Sequence, residues 1–298
     1  MSRRGAVNRR PVSPPDPTLV SNPIPRTRSF SVRSFGPGAA TDFHPRPLSE
    51  IDEEAKTNPA VYYGTEFVYP EIHEYFTLSC QESRQLLEEV QAWETVSWRN
   101  TKEVNCVPTW GFYVFITSYS ESSLVKIPQA IKKWICAVER SLKYRNRVVY
   151  ADEAFKRFKL DVILDESILA NASTDRVREE FRALIRGLDL YDPPEEESGL
   201  QGLGESNFMV PPARNKACFV LDEADISMLA NLDFSEDPTK DFPIWENKKL
   251  RLIDGGWRRS SFSETRYRGI WYCPVMSLLR IYQMITSDSN VLEGALDP

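Results

Sequence analysis

Histidine is nearly absent from this 298-residue chain, which has only His44 and His73. A His-based metal site or a Cys–His nucleophile pair therefore finds almost no material here. His73, within Glu71-Ile72-His73-Glu74-Tyr75, reads as a surface or helix-edge residue. The five cysteines (Cys80, Cys106, Cys136, Cys218, Cys273) are odd in number, widely spaced and never arranged as C-x-x-C. That excludes a zinc knuckle or a disulfide framework and leaves buried, reduced thiols. No apolar run approaches the ~20 residues that cross a bilayer, and the N-terminus has no apolar signal core. A soluble protein of the cytoplasm or nucleus is expected, without a membrane span. The sequon Asn171-Ala172-Ser173 is then one in form only. No cofactor and no metal is indicated.

The hydrophobic content of 41%, with 11% aromatic residues, is ample for a packed core. Charge is unevenly placed. Residues 1–47 carry eight arginines against Asp16 and Asp42, a net +6, which leaves −12 for the rest of a chain whose total is −6. An acidic body argues against nucleic acid as a general partner, and the cationic segment suggests an interaction tail. The same 47 residues hold nine prolines and almost no apolar periodicity, too little to offset the entropy of ordering. Their Arg/Ser bias resembles a mitochondrial presequence, the lesser alternative, since Pro11, Pro14, Pro15 and Pro17 would break the amphipathic helix such a signal needs. The expected organisation is a disordered basic arm over residues 1–57, one folded domain over 58–288 and a disordered tail over 289–298.

Within that domain, residues 83–93 read as a helix with Leu86, Leu87, Val90 and Trp93 on one side. Residues 110–117, rich in aromatic and β-branched side chains, read as a central strand. Pro128 suits the first position of a helix that buries Ile131, Trp134, Ile135, Val138 and Leu142 and turns Lys132, Lys133, Arg140 and Lys143 outward. Thr174 can cap a helix running to Leu188, with Val177, Phe181, Leu184 and Ile185 inward. Residues 189–215, with four prolines, three glycines and six acids against Arg214, predict a flexible acidic loop. Short strands are expected at 217–221, 249–253 and 268–272, and a buried helix at 275–285. This irregular alternation predicts α+β: an antiparallel or mixed sheet with helices mainly on one face.

Val220-Leu221-Asp222-Glu223-Ala224-Asp225 repeats in letters the acidic strand-end motif of DEAD-box helicases. That chemistry also needs a phosphate-cradling G-x-x-x-x-G-K-[ST] loop, which is missing, and a chain long enough for two lobes. The same letters fit a strand that ends at Leu221, a cap at Asp222 and acids in the first helical turn. Gly199-x-x-Gly-x-Gly204 follows an acidic proline run instead of a strand and reads as a spacer. Lys143-Tyr144-Arg145-Asn146-Arg147 mixes charge with an aromatic, as single-strand RNA binders do, but also suits a solvated helix C-terminus.

Several blocks carry a resemblance. They are Trp110-Gly111-Phe112 with Tyr119, Leu164-Asp165, Ala172-Ser173-Thr174-Asp175-Arg176-Val177-Arg178-x-x-Phe181, Cys218-Phe219-Val220-Leu221-Asp222-Glu223, Leu250-x-Leu252-Ile253-Asp254, and Tyr267-Arg268-Gly269 leading into Leu278 and Tyr282. In order and spacing, over about residues 108–286, they resemble a large family of uncharacterised proteins from filamentous ascomycete fungi. The resemblance implies a fungal origin and brings no activity or catalytic residues with it.

No residues form a recognisable catalytic constellation, so a non-catalytic interaction protein is expected, with a protein or small molecule as partner. The alternative is an accessory or tailoring protein in fungal specialised metabolism, by analogy of fold and lineage. Were it an enzyme, Asp222, Glu223, Asp254, Tyr267 and Arg268 at strand ends would be the first candidates, although such residues are usually turn formers. Arg26-Thr27-Arg28-Ser29-Phe30-Ser31 fits the R-x-R-x-x-S pattern of basophilic kinases, which makes Ser31 the candidate phosphorylation site. The arm is expected to meet an acidic surface, such as the loop with Glu195, Glu196 and Glu197.

Overall fold

The aromatic run Trp110–Ile116 forms strand β2, and every residue of it is buried. The computed structural model describes residues 30–40, 42, 44–57, 83–91, 109–145, 148–188, 212–237, 240–257 and 268–287. In β2 the side chains alternate with the pleat. Trp110, Phe112, Val114 and Ile116 enter a larger core on one face of the sheet, while Tyr113 and Phe115 enter a smaller core on the other. Gly111 has φ +129°, and a Cβ there would run into the Lys159 carbonyl oxygen, so only glycine lets the neighbouring strand lie alongside.

The sheet has six strands: β1 (Val32–Phe35), β2, β3 (Phe158–Ile163), β4 (Ala217–Leu221), β5 (Lys249–Asp254) and β6 (Ile270–Pro274). Their spatial order is β1-β3-β2-β4-β5-β6. The central strands β3, β2 and β4 are parallel, and β1, β5 and β6 are antiparallel to their neighbours. The protein is therefore α+β with a mixed sheet. Parallel neighbours need crossover connections, and the chain supplies them with helices.

Helix α1 (Leu48–Thr57), a helical stretch at 83–91 (α2) and helix α3 (Glu121–Arg145) cover the larger-core face. Helix α4 (Val148–Lys156) does the same just ahead of β3. From α3, Ile127, Ile131, Trp134, Val138 and Leu142 point inward at spacings of three and four, and Trp134 meets Phe219 of β4 edge-on at 5.1 Å. The opposite face is covered by a short helix, α5 (Glu166–Leu169), through Leu169, and by the amphipathic α6 (Thr174–Leu188), through Val177, Phe181, Leu184 and Ile185. The helices thus lie mainly on one face, as expected. After β4 the chain forms α8 (Glu223–Ala230) and the short α9 (Phe242–Trp245), and after β6 it forms α10 (Leu278–Ser287), all back on the larger core. No helix among the described residues is long and apolar enough to cross a membrane.

Four expectations change. First, the arm does not extend to residue 57, because β1 pairs with β3 from Val32 onward and α1 occupies 48–57. The strand Val-Arg-Ser-Phe is held by backbone ladder bonds, which composition does not report. Second, Pro128 lies inside α3, which starts at Glu121 under a Ser120 cap. The missing N–H leaves the Leu124 carbonyl without its helical donor, at a point where Leu124 is exposed. Third, three of the four outward cations of α3 are engaged: Lys133 donates to the Leu232 carbonyl (2.6 Å), Arg140 to the Ser235 carbonyl (2.7 Å) and to Asp241, and Lys143 to Glu139 (2.7 Å). Fourth, residues 212–216 at the end of the expected loop form a short helix, α7 (Pro212–Lys216). The glycine spacer, Glu195–Glu197 and His73 lie outside the described residues, as do residues 1–29 and 289–298.

Inside the sheet Asp161 of β3 is 4% exposed and pairs with Arg214 of α7, itself 2% exposed. Burial alone would push the Asp161 carboxyl up. The charges of Arg214 and Lys159 and the hydrogen bonds of Ser34 and Arg214 outweigh it and hold the group below its usual range.

Two predictions follow from this architecture. Removing residues 1–47 takes away β1 and two contacts of the Arg46 backbone: its N–H on Glu153 and its carbonyl, which accepts from Arg157. Thermal melting should drop by roughly 5 °C or more, whereas removing residues 1–29 should cost less. Asp161→Asn should destabilise by about 3–5 kcal/mol in urea unfolding at pH 7, because it strands a buried guanidinium, and Asp161→Leu with Arg214→Met should recover much of that. Since the folded pKa is lowered, this contribution is present above pH ~4 and is lost as pH falls through the folded value, so the wild-type advantage over Asn should shrink in acid.

Candidate functional site

Strands β2 and β4 run parallel, so their carboxyl ends open on the same edge of the sheet, where ligand crevices of α/β sheets form. A shallow, open crevice of about 620 Å³ lies there. Thr117 and Ser118 line it from the end of β2, Asp222, Glu223 and Ala224 from the end of β4, and Arg251 from β5, with Asn171 and Ala172 closing one side.

Local chemistry sets each wall. Thr117 prolongs the ladder, its N–H and hydroxyl both donating to the Leu221 carbonyl (3.0 and 3.2 Å). Its own carbonyl accepts the Asn171 N–H at 2.9 Å. Asn171 has φ 54°, a left-handed conformation that asparagine tolerates better than most side chains. Ser120 caps α3 by accepting the Ser123 N–H (3.2 Å). The Ser120 and Ser122 hydroxyls both reach Glu223 Oε1 at 3.1 Å.

On the other wall Asp222 caps α8 as the sequence predicts, in a reciprocal capping box. Asp222 Oδ1 accepts the Asp225 N–H at 3.0 Å, and Asp225 Oδ2 accepts the Asp222 N–H at 3.1 Å. Arg251 donates to Asp222 Oδ2 (2.7 Å) and leans on Asp225 (3.4 Å). Burial pushes the Asp225 carboxyl up and Asp222's charge adds to that, against the pull of the Asp222 N–H and Arg251. The crevice lining thus has two carboxylates, Asp222 and Glu223, for one guanidinium, with Asp225 bonded to Asp222 and Arg251 from outside the lining.

At the reversal point proper, where β2 and β3 send their following helices to opposite faces, there is a plug. The Tyr119 hydroxyl accepts the Asp165 N–H at 2.8 Å, and burial pushes the phenol up to about 12. This blocks the β2–β3 gap and leaves the opening between β2 and β4.

The five strand-end candidates do not converge. Asp222 and Glu223 line the crevice, but Asp254 is paired in register with Ala217 at the other end of β4, roughly 16 Å away at ~3.3 Å per residue. Asp254 Oδ1 accepts the N–H groups of Gly256 (2.7 Å) and Trp257 (3.1 Å), the work of a turn former. Arg268 offers its backbone carbonyl to Arg178 on that same distant edge, and Tyr267 lies outside the described residues. Ser31 is exposed, directly ahead of β1. A second crevice of about 370 Å³ holds Asp52 between Arg84 (3.0 Å) and the Tyr150 hydroxyl (2.8 Å), a tie among α1, α2 and α4.

Arg251, Ser120, Ser122 and Asn171 escape a sequence reading. The serine run after an aromatic strand, Ser118-Tyr119-Ser120-Glu121-Ser122-Ser123, was the available signal for a strand–cap–helix edge. Arg251 gave none, since its role depends on pairing with β4.

Asp222→Ala should cost about 1 kcal/mol in chemical denaturation through loss of the cap, and Asp222→Asn much less, because Asn also caps. Equal losses would show that the contact with Arg251 matters more than the cap. No protein-family model, curated protein or solved structure matches the chain.

Proposed function

We propose that this chain is a non-catalytic interaction protein whose crevice at the carboxyl ends of β2 and β4 receives a positively charged group of its partner. The observation that carries this reading is how the crevice carboxylates are used. Asp222 and Asp225 are each engaged by the other's N–H group and by Arg251. Glu223 accepts two serine hydroxyls on one oxygen and is exposed. Its second oxygen, Oε2, has no partner among the described residues.

A carboxylate fixed by neutral donors at an open rim is a good acceptor for an ammonium or guanidinium. A catalytic role needs more: a nucleophile with a base behind it and a third group orienting that base. The base within reach of Ser120 and Ser122 is Glu223, and no third group among the described residues orients it for proton transfer. Among the described residues no three His, Cys, Asp or Glu side chains are placed to hold a metal ion.

Fluorescence anisotropy with a labelled oligo-arginine peptide, and an oligo-glutamate peptide as control, tests the reading. Oligo-arginine should bind, weaken as salt is raised, and lose several-fold affinity in Glu223→Gln while the melting temperature is unchanged. Equal affinity of wild type and Glu223→Gln would show that the crevice is not the site of binding.

A further inference from the structure

We infer that the crevice is the docking site of the chain's own arginine-rich segment around Arg26 and Arg28, an inference that rests on its being a receptor for positive charge. Strand β1 runs antiparallel to β3 with Val32 opposite Ile163, so the residues ahead of it are delivered to the carboxyl end of β3. The Ser31 carbonyl accepts the Leu164 N–H at 3.0 Å, and Phe30 is seated against the smaller core. That core also takes Tyr119 and Ala172, and Ala172 lines the crevice. The described chain therefore begins beside the crevice, on the edge of the sheet where the carboxylates lie.

Reach and charge agree. Strands β1 and β4 are three strand spacings apart, about 14 Å at ~4.8 Å each. Arg26 stands four residues before Phe30, the first described residue, a span of up to ~14 Å at ~3.4 Å per residue before its own side chain is counted. Residues 1–29 hold six arginines against Asp16, while Glu223 is exposed at the rim. Helix α3 also leaves Leu124 and Val125 exposed (44% and 75%) near its start, and the arm carries the apolar Ile24 ahead of Arg26. A partner carrying cations would then have to displace the arm, which makes the contact autoinhibitory.

Photo-crosslinking in the full chain tests this, with p-benzoylphenylalanine in place of Thr27 and a mixture of isotope-labelled and unlabelled copies. Intramolecular crosslinks to 117–125 or 222–227 are expected. Their yield should fall about fivefold in Arg26→Glu with Arg28→Glu, the scale of an exposed ion pair, and should fall likewise in Glu223→Gln or near 1 M salt, where screening reaches ~3 Å. Crosslinks to the acidic stretch 192–197, crosslinks between copies, or none at all overturn the inference. If oligo-arginine binding responds to Glu223→Gln while the Thr27 probe marks another surface, the crevice serves an external partner and docking in cis is wrong. If neither responds, both readings fall.

Discussion

Asp161 stands in the middle of β3, where a carboxylate without a partner would cost several kcal/mol and forbid the strand. Arg214, in the short helix ahead of β4, supplies the counter-charge. Ser34 of β1 donates to the same carboxylate at 2.5 Å, and the ring of Tyr113 in β2 lies 4.7 Å from the guanidinium carbon. Ser34 and Tyr113 are the register partners of Asp161 on its two sides. One ion pair thus fixes the order and register of β1, β3 and β2 and the start of β4. Its satisfaction is incomplete, since Arg214 Nε and Nη1 have no hydrogen-bond partner among the described residues, and the Tyr113 ring face offsets part of that deficit by its attraction for the cation.

Such a pair contributes little net stability compared with an apolar replacement, and its value lies in excluding alternatives. A one-residue slip of β3 would turn Asp161 into the larger core, away from Arg214, and bring Leu160 or Val162 out of it. With register secured inside the sheet, the loops at the carboxyl ends of the parallel strands are free to carry polar groups. Tyr119 then decides where they open, because its contact with Asp165 closes the reversal point and shifts the opening to the β2–β4 side.

Segments whose own side chains pack were legible in the sequence. The aromatic run of β2, the apolar stripes of α3 and α6 and the capping acids of α8 are local patterns that tertiary structure left intact. Strand β3 was not, because Phe-Lys-Leu-Asp-Val-Ile places a lysine and an aspartate where a buried strand should be apolar, and only the distant Arg214 makes that tolerable. Nor was β1, whose first three residues are exposed and whose hold on the sheet is a row of backbone bonds, joined by the Ser34 bond to Asp161 and the packing of Phe35. The crevice was half visible: Asp222 and Glu223 could be singled out, but the serines opposite them are brought near by parallel pairing alone.

The letters Asp222-Glu223-Ala224-Asp225 show how geometry separates two uses of one motif. In an acidic strand-end motif that binds magnesium, the carboxylates must turn out of the helix and keep oxygens free for the ion and its water. Here the two aspartates turn inward on each other's N–H groups, and the remaining oxygen of Asp222 faces Arg251. A divalent ion would have to break the helix cap and expel a guanidinium to gain those ligands, and an arginine side chain stays charged throughout the accessible pH range. Glu223, outside the box, escapes this use, and its exposed carboxylate is held by two serine hydroxyls. The capping box that stabilises α8 therefore also limits what its amino end can bind.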